Sequence, residues 1–335
     1  MGIYSMKDLA ARKELAIQLV EPMLVSRKDR TQITIYKRFE PGADGCIHTS
    51  LSIDTASNRL SSSKSPVYEH STNLQNAPKK TAKLDPLYRV RDIVQAPEGH
   101  VFVCGDYKNA EAILVGAYSN DWAYVEKILT GADTHREHAQ HFYGIETITP
   151  LQRDIAKTIT YASFYYAMIP TLQQHLNKEA DKTGIYFTQA EVRRLWNILM
   201  ALHPLQQWWA DTEKELRDNG GWLRNCFDYR RVFHDPDEHG RLKDGLSFYP
   251  QSTVAWLMNR ALPLIRQDVV KTGIARLRMQ VHDELVFMTT PDKVSTLLKV
   301  ASPHLEHRFQ IHGRELFIPV EWKVGSTWGK MEEIK

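Results

Sequence analysis

The sequence predicts an α+β protein: one sheet, built from segments at both ends of the chain and interrupted by a long helical insertion. Three observations carry this. Compact apolar or alternating runs, HVFVCGDY at 100–107, MQVHDELVFM at 279–288 and LFIPVEWKVGSTW at 316–328, read as strands. Between them, from about residue 121 to 220, the periodicity is helical almost throughout, anchored by Trp196, Trp208 and Trp209. Strands grouped on either side of a run of helices belong to the α+β class.

Taken in order, residues 5–28 place Leu9, Leu15, Ile17 and Leu19 at helical spacing. The pattern stops near Glu21-Pro22, because proline disfavours helix in the residue before it. Residues 31–85 carry short alternating runs, TQITIYKRF and CIHTSLSI, then the polar tract NRLSSSKSPVYEHSTNLQN, which predicts strands and an irregular loop. HVFVCGDY is a strand ending in an acid, and NAEAILVGAYS after it is a helix. Residues 221–245 turn irregular and charged, and a helix is expected over 250–270. MQVHDELVFM reads as one strand with an acidic pair at its centre, and the C-terminal run is again strand-like. No internal repeat or low-complexity segment is present.

Composition narrows the class without naming a partner. The 335 residues are 42% apolar and 25% charged, with a net charge of +3, which is ordinary globular chemistry. The three cysteines, Cys46, Cys104 and Cys226, form no CxxC pair, so neither a zinc site nor a disulfide framework follows. A reducing compartment is the default. No apolar run approaches a membrane span and the N-terminus lacks a signal-peptide core, so a soluble intracellular protein is expected.

RDIAKTITYASFYY, residues 153–166, repeats Arg153, Lys157, Tyr161 and Tyr165 at every fourth position. On a helix each step of four advances about 40° beyond a full turn, so the four form one slanting stripe. One account is an amphipathic helix with solvated cations and packed rings. The other is a cradle in which cations face phosphates and rings face a flat heterocycle. The second account needs carboxylates for a metal ion. Asp106 ends one apolar strand, and Asp283 and Glu284 sit inside another, where charge is costly to bury unless paired or metal-bound. Two Mg2+ ions on Asp106 and Asp283, with the Tyr107 carbonyl beside them, would suit in-line phosphoryl transfer.

These residues carry a family resemblance. GDYKNAE resembles the DYSxxE motif of the family-A DNA polymerases, typified by bacterial DNA polymerase I. RDIAKTITYASFYY resembles that family's nucleotide-binding helix, RxxxKxxxFGxxYG, and QVHDELVF keeps its VHDE strand. In the right order come NRLSSS, TNLQNAP, QAPEGH, DTH at 133–135, FYPQSTVAW and GSTWGKMEE, over residues 46–333. The implied fold is a right-hand polymerase palm, an antiparallel sheet with helices, interrupted by a helical fingers subdomain, the thumb largely absent. The implied divisions are an N-terminal remnant over 1–45, palm over 46–120, fingers over 121–245 and palm again over 246–335.

The resemblance also implies roles. Asp106 and Asp283 are the expected metal-binding carboxylates, with the Tyr107 carbonyl in the metal shell and Glu284 assisting catalysis. Glu111 is the expected steric gate against a 2′-hydroxyl. Arg153, Lys157 and His135 would bind the triphosphate, Tyr161 would stack on sugar and base, and Tyr165 would hold the template-base position. Arg59, Gln251 and His282 would contact the primer terminus and minor groove, where acceptors common to all base pairs lie. Asn73, Gln75 and Asn76 would follow the template, although loop-stabilising hydrogen bonds suit Asn73 and Asn76 equally. The expected activity is template-directed DNA synthesis with Mg2+ (Mn2+ able to substitute), using primer–template DNA and deoxynucleotides. The expected location is the cytoplasm, in a bacterial nucleoid or a virus-infected cell.

Departures qualify the match. Tyr161 stands where many relatives carry phenylalanine, which predicts ready acceptance of dideoxynucleotides. Ala162 and Tyr166 replace glycines, Lys108-Asn109 replaces Ser-Gln, and Ile113 replaces an arginine. KSPVYEHST adds a loop near the expected duplex, which loop entropy tolerates. Residues 1–45 are too few for long thumb helices or a proofreading exonuclease, so a second chain supplying those parts is an alternative. A non-catalytic binding subunit and an RNA-synthesising relative are the other two, disfavoured by the intact carboxylates and by Glu111 respectively.

Overall fold

The computed structural model describes residues 41–53, 55–68, 71–77, 90–178 and 184–334. The helix expected over 5–28 and the run TQITIYKRF lie outside the described residues. Among them, strands β1 (Ser50–Ser52) and β2 (Ser61–Ser63) pair antiparallel. β3 (Val101–Tyr107) is the HVFVCGDY strand, followed directly by helix α1 (Ala110–Tyr118). Helices α2 (Trp122–Leu129), α3 (Thr134–Tyr143), α4 (Pro150–Phe164), α5 (Ile169–Asn177), α6 (Gln189–Leu202) and α7 (Leu205–Asp218) then form the helical insertion. A small hairpin, β4 (Trp222–Arg224) and β5 (Arg230–Val232), leads to the long helix α8 (Glu238–Ile265). β6 (Arg276–Val281), β7 (Glu284–Thr289), α9 (Val294–Leu305), β8 (Phe309–Ile311), β9 (Arg314–Leu316), β10 (Val320–Thr327) and β11 (Lys330–Glu333) complete the chain.

The main sheet is antiparallel throughout, in the order β11-β10-β3-β7-β6, so β3 lies at its centre with strands from the last sixty residues on either side. Alternation along β3 serves two cores, as strand geometry requires. Phe102 and Cys104 pack with Val286, Met288, Val281 and Trp328 on one face. Val103 and Tyr107 pack with Leu285, Phe287 and the α1, α8 and α9 helices on the other. Gly105 is required by close approach, since a Cβ there would stand 2.9 Å from the Trp322 ring.

Three expectations are corrected. MQVHDELVFM is not one strand but a tight hairpin: Val281 pairs with Glu284 across the turn His282-Asp283, and His282 takes a φ of 59°. A left-handed first turn position matches the twist of the paired strands, which apolar patterning alone does not reveal. The helix expected at 250–270 begins twelve residues earlier, at Glu238, because Asp237 caps it through the Gly240 N–H at 2.9 Å. It runs through Pro250 into a π-turn, Arg266–Val270. The C-terminal run is not one strand but breaks over 317–319, where Pro319 lacks the N–H a ladder needs.

In the insertion, local chemistry and packing agree. α4 starts at a reciprocal capping box between Thr149 and Gln152, with Pro150 at its first position, and α6 starts at a second box, Thr188 with Glu191. Their apolar faces meet α3 through Phe142, Ile155, Ile159, Leu195 and Leu199.

Candidate functional site

Asp106 is the penultimate residue of β3, in register with Glu284 on β7 and Glu321 on β10. Asp283 occupies the β6–β7 turn, and its carbonyl accepts the Tyr107 N–H at 3.4 Å. Both aspartates therefore stand at one end of the sheet, each half-buried. The Tyr107 phenol points to the other face and donates to the Leu305 carbonyl at 2.9 Å, and burial raises its pKa well above the usual value. Among the described residues, no group of three or more His, Cys, Asp or Glu side chains gathers as a ready-made metal cage.

Glu284 has a different setting from the aspartates. It is 4% exposed, accepts the Trp328 indole N–H at 2.9 Å and lies 3.6 Å from the Arg91 guanidinium. Arg91 is itself buried, bonded to the Ala77 carbonyl and stacked 4.0 Å over the Trp328 ring. Glu321, beside Asp106, pairs with Lys323 and lies 3.9 Å from Lys108.

Only the turn at the end of β3 separates Asp106 from Glu111 in the first turn of α1. Asn109 makes that turn with a φ of 53°, a conformation asparagine tolerates. The Tyr165 hydroxyl, at the end of α4, donates to Glu111 Oε1 at 2.6 Å. Burial, then the Glu111 charge, push the Tyr165 phenol well above its usual pKa, so it stays a donor. This bond joins the carboxylate end of the sheet to the α4 stripe.

Along that stripe, Arg153 Nε donates to Asp133 Oδ2 at 2.7 Å, and Asp133 caps α3 through the Arg136 N–H. Lys157 is exposed, its Nζ 5.9 Å from the Tyr161 ring centroid. His135 is buried with its ring 5.4 Å from Tyr161, and its Nδ1 finds no hydrogen-bond partner among the described residues. Burial, then the charges of Arg153 and Lys157, lower its pKa to about 4, so it is neutral at pH 7.

The remaining predicted residues divide. Arg59 is near enough to Tyr165 for its charge to act on the phenol, and the neighbouring Asn58 carbonyl is held by Asn259 of α8 at 3.0 Å. Gln251 is half-buried on α8 and His282 is exposed in the turn. Asn73 caps a short 3-10 turn through the Gln75 N–H at 2.9 Å. Gln75 accepts from Ser62 N–H and donates to the Leu60 carbonyl and to Gln280 Oε1. Asn76 is exposed. The structure thus assembles Asp106, Tyr107 and Asp283 in one place, Glu111 with Tyr165 beside it, and Arg153, Lys157, His135 and Tyr161 along α4. Gln75 and Glu284 are engaged inside the protein.

Sequence reasoning passed over Asp133, Arg91 and Glu321. Asp133 was findable: an acid directly before the α3 run is an N-cap signal, and it turned out to hold Arg153 as well. Glu321 is placed by long-range strand register and Arg91 by tertiary packing from a short 3-10 turn, and neither leaves a local mark.

Comparison with known proteins follows the same outline. The sequence profile of DNA polymerase family A matches residues 5–330. DNA polymerase I of Chloroflexus aurantiacus is 27% identical over 301 residues, covering 87% of this chain and 30% of the relative. The thermostable DNA polymerase I of Thermus aquaticus is 29% identical over 293 residues, 84% of this chain and 32% of the relative. The chain therefore spans about a third of the length of the curated relatives it matches. The POL domain of Pol1 from M. smegmatis, solved with DNA primer-template and dNTP, superposes with a TM-score of 0.77 at 21% identity over 96% of this chain and 56% of that one. No described helix is long and apolar enough to cross a membrane. With the family profile running almost end to end and the fold shared with a polymerase domain, the chain belongs to DNA polymerase family A.

Proposed function

We propose that this chain is the nucleotidyl-transfer unit of a template-directed DNA polymerase, adding deoxynucleotides to a primer 3′ end. The observation that carries the reading is the continuity between Asp106 and Asp283 at the sheet end and the α4 stripe, made by the Tyr165–Glu111 hydrogen bond. In this reading the sheet and its flanking helices are the palm and the insertion is the fingers. Primer–template DNA and a deoxynucleotide, the ligands of the M. smegmatis domain, bind across that face.

The donor set fits magnesium, which takes hard oxygen ligands and is often held by one or two carboxylates plus substrate phosphates. Asp106, Asp283 and the Tyr107 carbonyl would hold it. Two such ions, when bound, supply activation of the attacking 3′-oxygen and neutralise the charge that develops in transfer.

The chain's own groups do the rest. Arg153 uses Nε for Asp133, which leaves its Nη donors for phosphate oxygens in a fixed orientation. Lys157, exposed one turn further on, adds a second cation. Tyr161 offers its ring to sugar and base, backed by the neutral His135, which positions the ring and adds no charge at the phosphates. Glu111, held by Tyr165, fills the space a 2′-hydroxyl would occupy. Glu284 serves as a structural anchor for Arg91 and Trp328 rather than as a metal ligand.

The test is extension of a short primed template with Mg2+ and four deoxynucleotides, wild type against Asp283→Asn. Extension that disappears in the variant supports the reading. A folded wild type that binds DNA yet extends nothing, or a variant that extends as well as wild type, overturns it for this chain acting alone.

A further inference from the structure

A second line of polar groups runs inward from α4. Thr160, next to Tyr161, is fully buried. Its Oγ1 lies 2.8 Å from the Ala156 carbonyl and 2.9 Å from His138 Nδ1 on α3. His138 Nε2 lies 2.8 Å from Nε2 of His203, at the end of α6, and His203 Nδ1 lies 2.5 Å from Asp121 Oδ2. Asp121 also caps α2 through the Tyr124 N–H at 3.1 Å. The line therefore crosses four helices with little solvent: His138 is 4% exposed, and the His203 and Asp121 side chains are 10% and 12% exposed. Nothing in the proposed chemistry uses it.

Counting hydrogens places the protons. The Thr160 hydroxyl has one hydrogen, and the Ala156 carbonyl four residues back takes it. His138 Nδ1 must then donate to Thr160, so a neutral His138 has a bare Nε2. The hydrogen between the two Nε2 atoms belongs to His203. His203 also needs a hydrogen on Nδ1 for the Asp121 carboxylate, which makes it an imidazolium. Every contact is satisfied in this one arrangement. Remove one proton and the line inverts: His138 carries its hydrogen on Nε2, and Thr160 must turn from Ala156 toward His138.

The surroundings agree. Burial, then the charges of His203, His135, His141 and Lys127, lower the His138 pKa to about 2, which leaves His203 as the proton's site. From α2 the pair also faces Asp121 and Tyr124, and from α3 Glu137, which is paired with Lys127 at 2.5 Å. From α4, Arg153 and Lys157 act on His135, whose ring lies 6.2 Å from His138.

We infer that Asp121, His203 and His138 are positioning residues for α4: a protonated His203, held by Asp121, fixes the Thr160 hydroxyl on the Ala156 carbonyl and so sets how α4 seats on α3. Tyr161 against His135 and Arg153 against Asp133 depend on that seating. The effect on turnover rests on the polymerase function proposed above, whereas the proton placement does not.

The protein labelled with 15N-histidine tests the placement directly. At pH 7 two ring nitrogens of His203 should both be protonated and His138 should carry its hydrogen on Nδ1. Asp121→Asn, which preserves the helix cap, should neutralise His203. Thr160→Val should exchange α4 amides about ten-fold faster than wild type, and Thr160→Ser should not. In primer extension, Asp121→Asn and Thr160→Val should raise the deoxynucleotide KM about three- to ten-fold with kcat nearly unchanged, a loss of binding common to ground and transition states. A neutral His203 at pH 7, or α4 exchange in Thr160→Val equal to wild type, overturns the inference. Expected nitrogen and exchange patterns in a wild type that extends no primer would uphold it and remove the polymerase reading instead.

Discussion

Tyr166, two residues beyond the end of α4, has a φ of 57°, at the position where the family motif that this segment resembles has glycine. A side chain in this region of backbone space costs about 1 kcal/mol. Against that cost the ring packs 5.0 Å from Trp209 and 5.0 Å from His239, and Trp209 in turn stacks on Trp196. Truncating a half-buried aromatic with two such neighbours removes roughly 2–3 kcal/mol of burial and ring contact. The packing term is the larger, so both truncations destabilise, but not equally. Tyr166→Ala loses the ring and keeps the strain, at about 2–3 kcal/mol. Tyr166→Gly loses the ring and relieves the strain, partly offset by the greater freedom of glycine in the unfolded chain, and should cost about 1.5–2.5 kcal/mol. Urea midpoints at constant m-value should therefore fall in the order wild type, Gly, Ala. A glycine variant at least as stable as wild type would mean that strain outweighs packing. An alanine variant more stable than glycine would mean that no strain is stored at 166.

Three further outcomes are expected. His135 has a folded pKa lowered to about 4 from 6.5, so the unfolded chain binds more protons between those values and stability falls as pH drops through that window. His135→Gln should remove roughly 2 kcal/mol of the wild-type loss between pH 7 and pH 5, and an unchanged pH profile of the urea midpoint would refute this. Glu284→Gln leaves the Arg91 guanidinium buried without its carboxylate, which should cost about 3–5 kcal/mol by denaturant titration; loss of extension in a variant of wild-type stability would instead make Glu284 catalytic. Tyr161→Phe should lower the ratio of dideoxynucleotide to deoxynucleotide incorporation in single-nucleotide extension, and an unchanged ratio would remove the hydroxyl from the argument.

What the sequence disclosed and what it withheld divide by range. β3 and α1 were legible as compact apolar runs buried on nearly every side, the insertion because its helices bury one face at a fixed period, and Thr149–Gln152 marks the start of α4 in plain residues. The stripe of Arg153, Lys157, Tyr161 and Tyr165 was legible for the same reason, being a local repeat. The hairpin inside MQVHDELVFM was not, because its turn is His282-Asp283 rather than a glycine pair, and the left-handed φ is imposed by strand pairing. The setting of Glu284 was hidden more deeply. Asp283 and Glu284 are adjacent in sequence and alike in chemistry, yet one lies in a half-buried turn and the other against Arg91 and Trp328. That difference is set by register with β3 and by residues forty and more positions away, so a motif that carries both acids cannot separate their roles. The same holds for Thr160, His138, His203 and Asp121, four ordinary polar residues until the fold puts them in one line. Where a site is local its residues announce themselves, and where it is assembled across the fold only the hydrogen accounting between neighbours does so.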